Sequence, residues 1–323
     1  MPRSIVAACA ALTLVLSAAD AGAQEASYPN KPVKLLIGFP PGGLLDTVSR
    51  IVGERMSALL AQPFVVDARP GAGGLVATTA LAKSAPDGYT LMMINDNHAL
   101  NPYILKEVPY DSVRDFAPIG FVGSTPLVFS AHPGLSLRSV KDLVEMAKAK
   151  GGALTYGSVG PGSLPHLSTA LFTQAAGVKM NHVPYKGGAP ALNDLLGGHI
   201  NTMMMSLVVS KSHIDSGKLT PLAVAWKHRL EPLPNVPTMA EAGYPLDAAY
   251  WFGLMAPAGT PPAVVAKLEK ALANTVAQPE VRKRLSDMGT LVTPMNAKEF
   301  GAFIQSEMAK WKDAVSKANV KLE

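Results

Sequence analysis

Val33-Lys34-Leu35-Leu36-Ile37-Gly38-Phe39-Pro40-Pro41-Gly42-Gly43-Leu44-Leu45-Asp46 passes from an apolar run, through a Pro/Gly segment, into the start of an amphipathic stripe. The first five residues read as a buried strand. Phe39 to Gly43 must be a loop, because two prolines followed by two glycines suit neither helix nor strand. Beyond it Leu45, Val48, Val52, Met56 and Leu59 recur at three- and four-residue steps, with Asp46, Arg50, Glu54 and Arg55 between them. That is one apolar face of a helix.

The strand, loop, helix unit recurs along the chain. Phe64-Val65-Val66 reads as a strand, Gly71-Ala72-Gly73-Gly74 as a loop, and the small residues up to Ala82 as a helix. Ala85-Pro86-Asp87-Gly88 is a turn before a strand at 89–94. Ser139 and Asp142 stand at capping-box spacing and open a helix that ends near Gly151. Leu154 to Gly157 is a strand, Gly160-Pro161-Gly162-Ser163 a loop, and Leu164 to Ala176 a helix stopped by Gly177. A short helix near Ala189 to Leu196 and strands at Ile200 to Met205 and Leu219 to Trp226 follow. In the last third, Thr260 is expected to cap a helix with Pro261 in its first turn. Asn296 with Glu299 is expected to open a long helix carrying Phe300, Phe303, Ile304, Met308 and Trp311. This alternation predicts an α/β fold of parallel sheets with helices on both faces, the C-terminal helices packing back on the N-terminal part.

Composition narrows the function. With 48% hydrophobic residues and a net charge of only +5, the 323-residue chain is globular rather than disordered, and long enough for two domains or lobes. The 29 basic residues form no run that would mark a nucleic-acid or membrane footprint, so small anions are the more natural partner. Arg3, the uncharged apolar run from Ile5 to Ala18 and the small residues Ala21-Gly22-Ala23 compose a secretory signal with cleavage expected after Ala23. Cleavage there would discard Cys9, the sole cysteine, which suits an exported protein.

Several chemistries are missing. The seven histidines contain no pair at His-Glu-x-x-His spacing, no Gly-x-Ser-x-Gly occurs, and neither Gly42-Gly43 nor Gly157 to Gly162 fits a nucleotide fingerprint. No catalytic residue, metal or cofactor is expected. What is present is a pair of glycine-rich loops, Pro40 to Gly43 and Gly157 to Ser163, each between a strand and a helix. Such a junction offers unpaired amides at the positive end of a helix, a place for a carboxylate, phosphate or sulfate. A bulky residue at Gly43 is expected to block the approach and to meet an unfavourable φ.

The motifs in series resemble a known family. Tyr28-Pro29-x-Lys31-Pro32, Phe39-Pro40-Pro41-Gly42-Gly43-x-x-Asp46, Arg69-Pro70-Gly71-Ala72-Gly73-Gly74, Ala85-Pro86-Asp87-Gly88-Tyr89-Thr90-Leu91, Asn101-Pro102, His182-Val183-Pro184-Tyr185-Lys186-Gly187 and Ala256-Pro257-Ala258-Gly259-Thr260-Pro261 occur in order. Together they resemble the periplasmic solute-binding receptors of tripartite tricarboxylate transporters, the Bug family. The resemblance implies a type II periplasmic-binding-protein-like fold, two lobes with a ligand cleft between them. It divides the chain into a signal at 1–23, lobe 1 at 24–124, lobe 2 at 125–225 and a return to lobe 1 at 226–323. It implies a monomer that captures a small-molecule carboxylate in the periplasm and releases it to a membrane permease.

The ligand positions it carries over are Gly42, Gly43 and Asp46 in one loop and Ser158, Gly160, Gly162, Ser163 and His166 in the other. Tyr185 is a cleft-lining candidate, and Lys186 reads equally as a solvated charge. Two departures bear on the substrate: Leu44-Leu45 replaces small or polar residues, and Met205 falls where an acid is usual. Leu45 and Met205 therefore point to an apolar or aromatic ligand body. Two other readings stand beside the receptor: an exported hydrolase or isomerase using His166 and Asp46 as acid and base, and a ligand-sensing module for a membrane sensor.

Overall fold

The computed structural model describes residues 28–318, so the targeting-segment reading, with Ala23 and Cys9, lies outside the described residues. The opening unit folds as its pattern requires. β1 (Val33–Ile37) leads through the Pro/Gly loop into α1 (Leu44–Leu60), whose Val48, Val52 and Met56 face the sheet. β2 (Phe64–Ala68) pairs parallel with β1, and after α2 (Leu75–Ala82) the strand β3 (Thr90–Asn95) pairs parallel on β1's other side. α3 (Asn97–Ile104) then brings the chain to β4 (Phe116–Ala131).

β4 organises the molecule and corrects the expectation of purely parallel sheets. Its first part pairs antiparallel with a later strand, β9 (Ala249–Pro257), from Phe116↔Pro257 to Pro126↔Ala249. Its last five residues pair antiparallel with two others, from Leu127 opposite Ser206 and Ala225 to Ala131 opposite Thr202 and Thr220. One strand thus serves both lobes. Pro118, Gly120, Gly123 and Pro126 hide it from pattern reading, and the register shifts at Pro118/Gly120 and Phe121/Gly123 mark irregular pairing. The glycine at 123 has a packing reason: a Cβ there would lie 2.4 Å from the Leu291 carbonyl, which accepts from the Ser124 amide.

The second lobe repeats the opening unit: α4 (Val140–Ala149), β5 (Thr155–Ser158), α5 (Leu164–Ala176), β6 (Asn181–Pro184), α6 (Gly188–Leu196), β7 (Thr202–Ser206), α7 (Leu207–Asp215) and β8 (Thr220–Ala225). β5 lies parallel between β6 and β7. Residues 230–239 stay with this lobe, through Leu230, Leu233 and Val236 against Val128 and Val224 and through Met239 in its main core. The chain then returns along β9 (Ala249–Pro257), followed by α8 (Pro262–Ala277), α9 (Pro279–Asp287) and α10 (Ala297–Ala318). The full order is β2-β1-β3-β9-β4-β7-β5-β6, with β8 also on β4.

Two C-terminal details differ from expectation. Thr260 does not cap α8: its hydroxyl donates to the Pro257 carbonyl at 2.8 Å, and Pro261 occupies the N-cap position. α8 and α9 pack on α1, but α10 belongs to both lobes. Phe300 and Ile304 join Ile94, Phe121 and Trp251 in the first lobe, while Trp311, Ala314 and Val315 join Phe129, Phe172 and Met204 in the second. Its start matches the sequence: the Glu299 amide donates to Asn296 Oδ1 at 2.9 Å and the Asn296 amide to Glu299 Oε2 at 3.0 Å.

Candidate ligand-binding site

Strand directions aim the two glycine loops at each other. β3 is antiparallel to β9 and β9 to β4, so β1 and β3 run the same way as β4, toward the second lobe. β7 is antiparallel to β4 and β5 follows β7, so β5 runs toward the first lobe. The carboxyl ends of β1 and β5 therefore converge on the stretch of β4 near Pro126, the usual place for a ligand between α/β units.

The loops are built alike. Pro41-Gly42-Gly43-Leu44-Leu45-Asp46 and Pro161-Gly162-Ser163-Leu164-Pro165-His166 occupy equivalent positions at the starts of α1 and α5. Gly42 and Gly162 have φ of 84° and 71°, a region that favours glycine, which is why each loop carries one at this step. Each then donates its amide to the side chain four residues on. The Gly42 amide bonds Asp46 Oδ2 at 2.9 Å, and the Gly162 amide bonds His166 Nδ1 at 3.0 Å. The sequence carries this equivalence as Pro-Gly-x-Leu-x followed by Asp or His, a signal visible once the two stretches are laid in register.

Asp46 is thereby a loop anchor. Its carboxylate also takes the Arg50 guanidinium, Oδ2 from Nε at 3.0 Å and Oδ1 at 2.9 Å from an Nη. The Arg50 hydrogen bond, opposed by burial, holds its carboxyl below the usual range. His166 anchors the other loop, and its ring stacks on His182 of β6 at 3.8 Å and 4°. Burial, and then His182, push the His166 imidazole down to about 4, so it is neutral near pH 7. Asp46 and His166 sit in opposite lobes, each hydrogen-bonded to its own loop's glycine amide.

Ser158 and Ser163 tie the second loop together. Ser158 Oγ accepts from the Gly160 amide at 3.2 Å, donates to the Gly160 carbonyl at 3.0 Å, and lies 2.6 Å from His182 Nε2. Ser163 Oγ donates to the same carbonyl at 2.6 Å. The free amides at each helix start are those before the first intrahelical bond, which Thr47 makes to Gly43 and Leu167 to Ser163. Leu44, Leu45 and Asp46 can offer three in α1. Pro165 removes one from α5, leaving Leu164 and His166.

The profile of a family described as "Tripartite tricarboxylate transporter family receptor" matches residues 48–320. The chain belongs to this receptor family. It is 35% identical over 300 residues to the protein BugT of Bordetella pertussis, covering 92% of either chain. Its structure is similar to that of R. palustris Rpa4515 with adipate, at TM-score 0.82 and 33% identity, over 91% of this chain and 99% of that one. MatC from Rhodopseudomonas palustris with bound malate aligns at TM-score 0.77 and 30% identity, over 89% and 100%. The two-lobe α/β architecture of these receptors is the fold of this chain.

Other expected positions of the family site lie deeper. Leu45 and Met205 are buried, 5% and 4% exposed, Leu45 in the first-lobe core and Met205 with Met203, Leu195 and Leu219 beneath α6. Leu44, the first residue of α1, is half-buried and packs against the edge of the same first-lobe core. Tyr185 follows β6, donates its hydroxyl to Asp194 at 2.6 Å and its amide to the Ser158 carbonyl at 3.0 Å. Lys186 is exposed. A cavity of about 390 Å³ lies elsewhere, lined by Phe172, Tyr244, Asp247, Lys310 and Trp311 among others, and includes no residue of either loop. Among the described residues no group of three or more His, Cys, Asp and Glu converges to hold a metal, and no helix is long and apolar enough to cross a membrane.

Proposed function

We propose that this family receptor works in the periplasm, holds a small organic carboxylate between the loops ending at Gly43 and Ser163, and hands it to a tripartite tricarboxylate-type permease. The observation that carries this reading is the pair of matched loops at converging strand ends, each with its helix amides free. A carboxylate bridging them gains charge-assisted hydrogen bonds in both lobes only when the lobes close, so the ligand favours the closed state by its differential contacts. Adipate in Rpa4515 and malate in MatC support a carboxylate as the ligand class.

In this reading the amides of Leu44, Leu45 and Asp46 and of Leu164 and His166 hold the carboxylate, Gly42, Gly43, Gly160, Gly162 and Ser163 let it approach them, and the side chains of Asp46, Ser158 and His166 anchor the loops from beneath. Its apolar preference rests on Leu44, since Leu45 and Met205 act only through core packing. The receptor binds without turnover as a monomer, its mature chain beginning at Gln24, entering the second lobe near residue 124 and returning to the first along β9. Calorimetry with adipate, malate, citrate and benzoate, with each acid quantified afterwards by chromatography, tests the reading. One acid bound at unit stoichiometry and recovered intact is expected. Consumption in molar excess, or no binding by any of them, defeats it.

A further inference from the structure

The second-lobe loop rests on two imidazoles whose hydrogen bonds differ in kind. His166 Nδ1 accepts the Gly162 amide, so its proton is on Nε2 and its one lone pair is spent. A second proton would set N–H against N–H and release Gly162. His182 Nε2 instead meets the Ser158 hydroxyl at 2.6 Å, a partner that can donate or accept. Protonating His182 keeps that contact, and Ser158 Oγ still donates to the Gly160 carbonyl at 3.0 Å. No described residue hydrogen-bonds His182 Nδ1.

We propose that a carboxylate bound at this loop is accompanied by uptake of one proton from solvent, and that the proton goes to His182 while His166 stays neutral. The proposal rests on the loop being the anion site described above. Parallel rings 3.8 Å apart repel if both are charged, so the pair takes one proton and not two. Around it, Tyr156 of β5 stacks on His182 at 5.0 Å and is neutral, burial having pushed its phenol up to about 12. Tyr185, next along the chain from β6, is bonded to Asp194 instead. Among the described residues no Asp, Glu, Lys or Arg hydrogen-bonds or ion-pairs with either ring. The pocket has burial, which lowers both imidazoles, and no charge of its own to reverse it. A ligand carboxylate supplies that charge.

By linkage, affinity then rises as pH falls, by up to roughly tenfold per pH unit where the free pair is neutral and the bound pair holds its proton. Two measurements on the full-length mature protein test this. Imidazole ¹⁵N NMR of the free protein, titrated with acid, should show His182 protonating first while His166 keeps a bare Nδ1. Calorimetry with adipate in Bis-Tris and in Tris near neutral pH should show uptake of up to one proton, absent in His182→Gln, whose affinity should no longer vary with pH. His166 protonating first, or buffer-independent heats in a wild type that binds adipate, overturns the proposal. If adipate fails to bind while His182 still protonates first, the carboxylate reading and the linkage fail together, and the order of protonation stands.

Discussion

Replacing Gly43 by valine places a branched side chain on the first-lobe loop without asking the backbone to move. Gly43 lies at φ −81° and ψ 175°, extended backbone that any residue adopts, so the expected strain is not at this position but at Gly42, with φ 84°. A Cβ at 43 meets nothing nearer than the Pro40 carbonyl at 3.6 Å, an ordinary contact. Stability should therefore change by no more than about 0.5 kcal/mol, as for a surface substitution. The new methyls stand in front of the amides that open α1. Losing two charge-assisted bonds at about 1.5–3 kcal/mol each weakens binding by about 3 kcal/mol or more, on the order of a hundredfold in Kd. Calorimetry with adipate, paired with thermal melts of both proteins, separates the two effects. An unchanged Kd in a Gly43→Val protein that melts with the wild type would refute the amide-clamp reasoning. Gly42→Val, by contrast, should lower the melt itself, by about 1–2 kcal/mol.

Asp96, just after β3, is buried with neither carboxyl oxygen partnered among the described residues, and burial, then Glu307, push it up to about 8. The folded state thus keeps a proton the unfolded state has lost, so this contribution is complete below the ordinary carboxylate pKa and disappears as pH rises through about 8. Melts of Asp96→Asn should fall less than wild type across that window; parallel curves would contradict the assignment. A Cβ at Gly253 would lie 2.1 Å from the Phe300 ring, so Gly253→Ala should cost about 1–3 kcal/mol in urea unfolding. Intact mass of the exported protein should match a chain starting at Gln24, open or cyclised; a lipid-bearing mass retaining Cys9 would refute that start.

Sequence by itself determined the local units. The period of α1, the Gly177 stop of α5 and the Asn296 and Glu299 box of α10 are interactions among residues a few positions apart, so pattern and spacing carry them. The two glycine loops are legible for the same reason, since Pro41-Gly42 and Pro161-Gly162 must turn wherever they sit. Tertiary structure alone decided the long-range choices. β4 has a run punctuated by Pro and Gly that earns its pairing only against β9, β7 and β8, partners drawn from as far as residue 257. α10 divides its apolar face between two cores that its own periodicity cannot tell apart. Asp46 and His166 look like free acid and base in a linear reading. Folding directs the lone pairs that face their loops to the Gly42 and Gly162 amides, and the Arg50 hydrogen bond then lowers the Asp46 carboxyl while burial lowers the His166 imidazole.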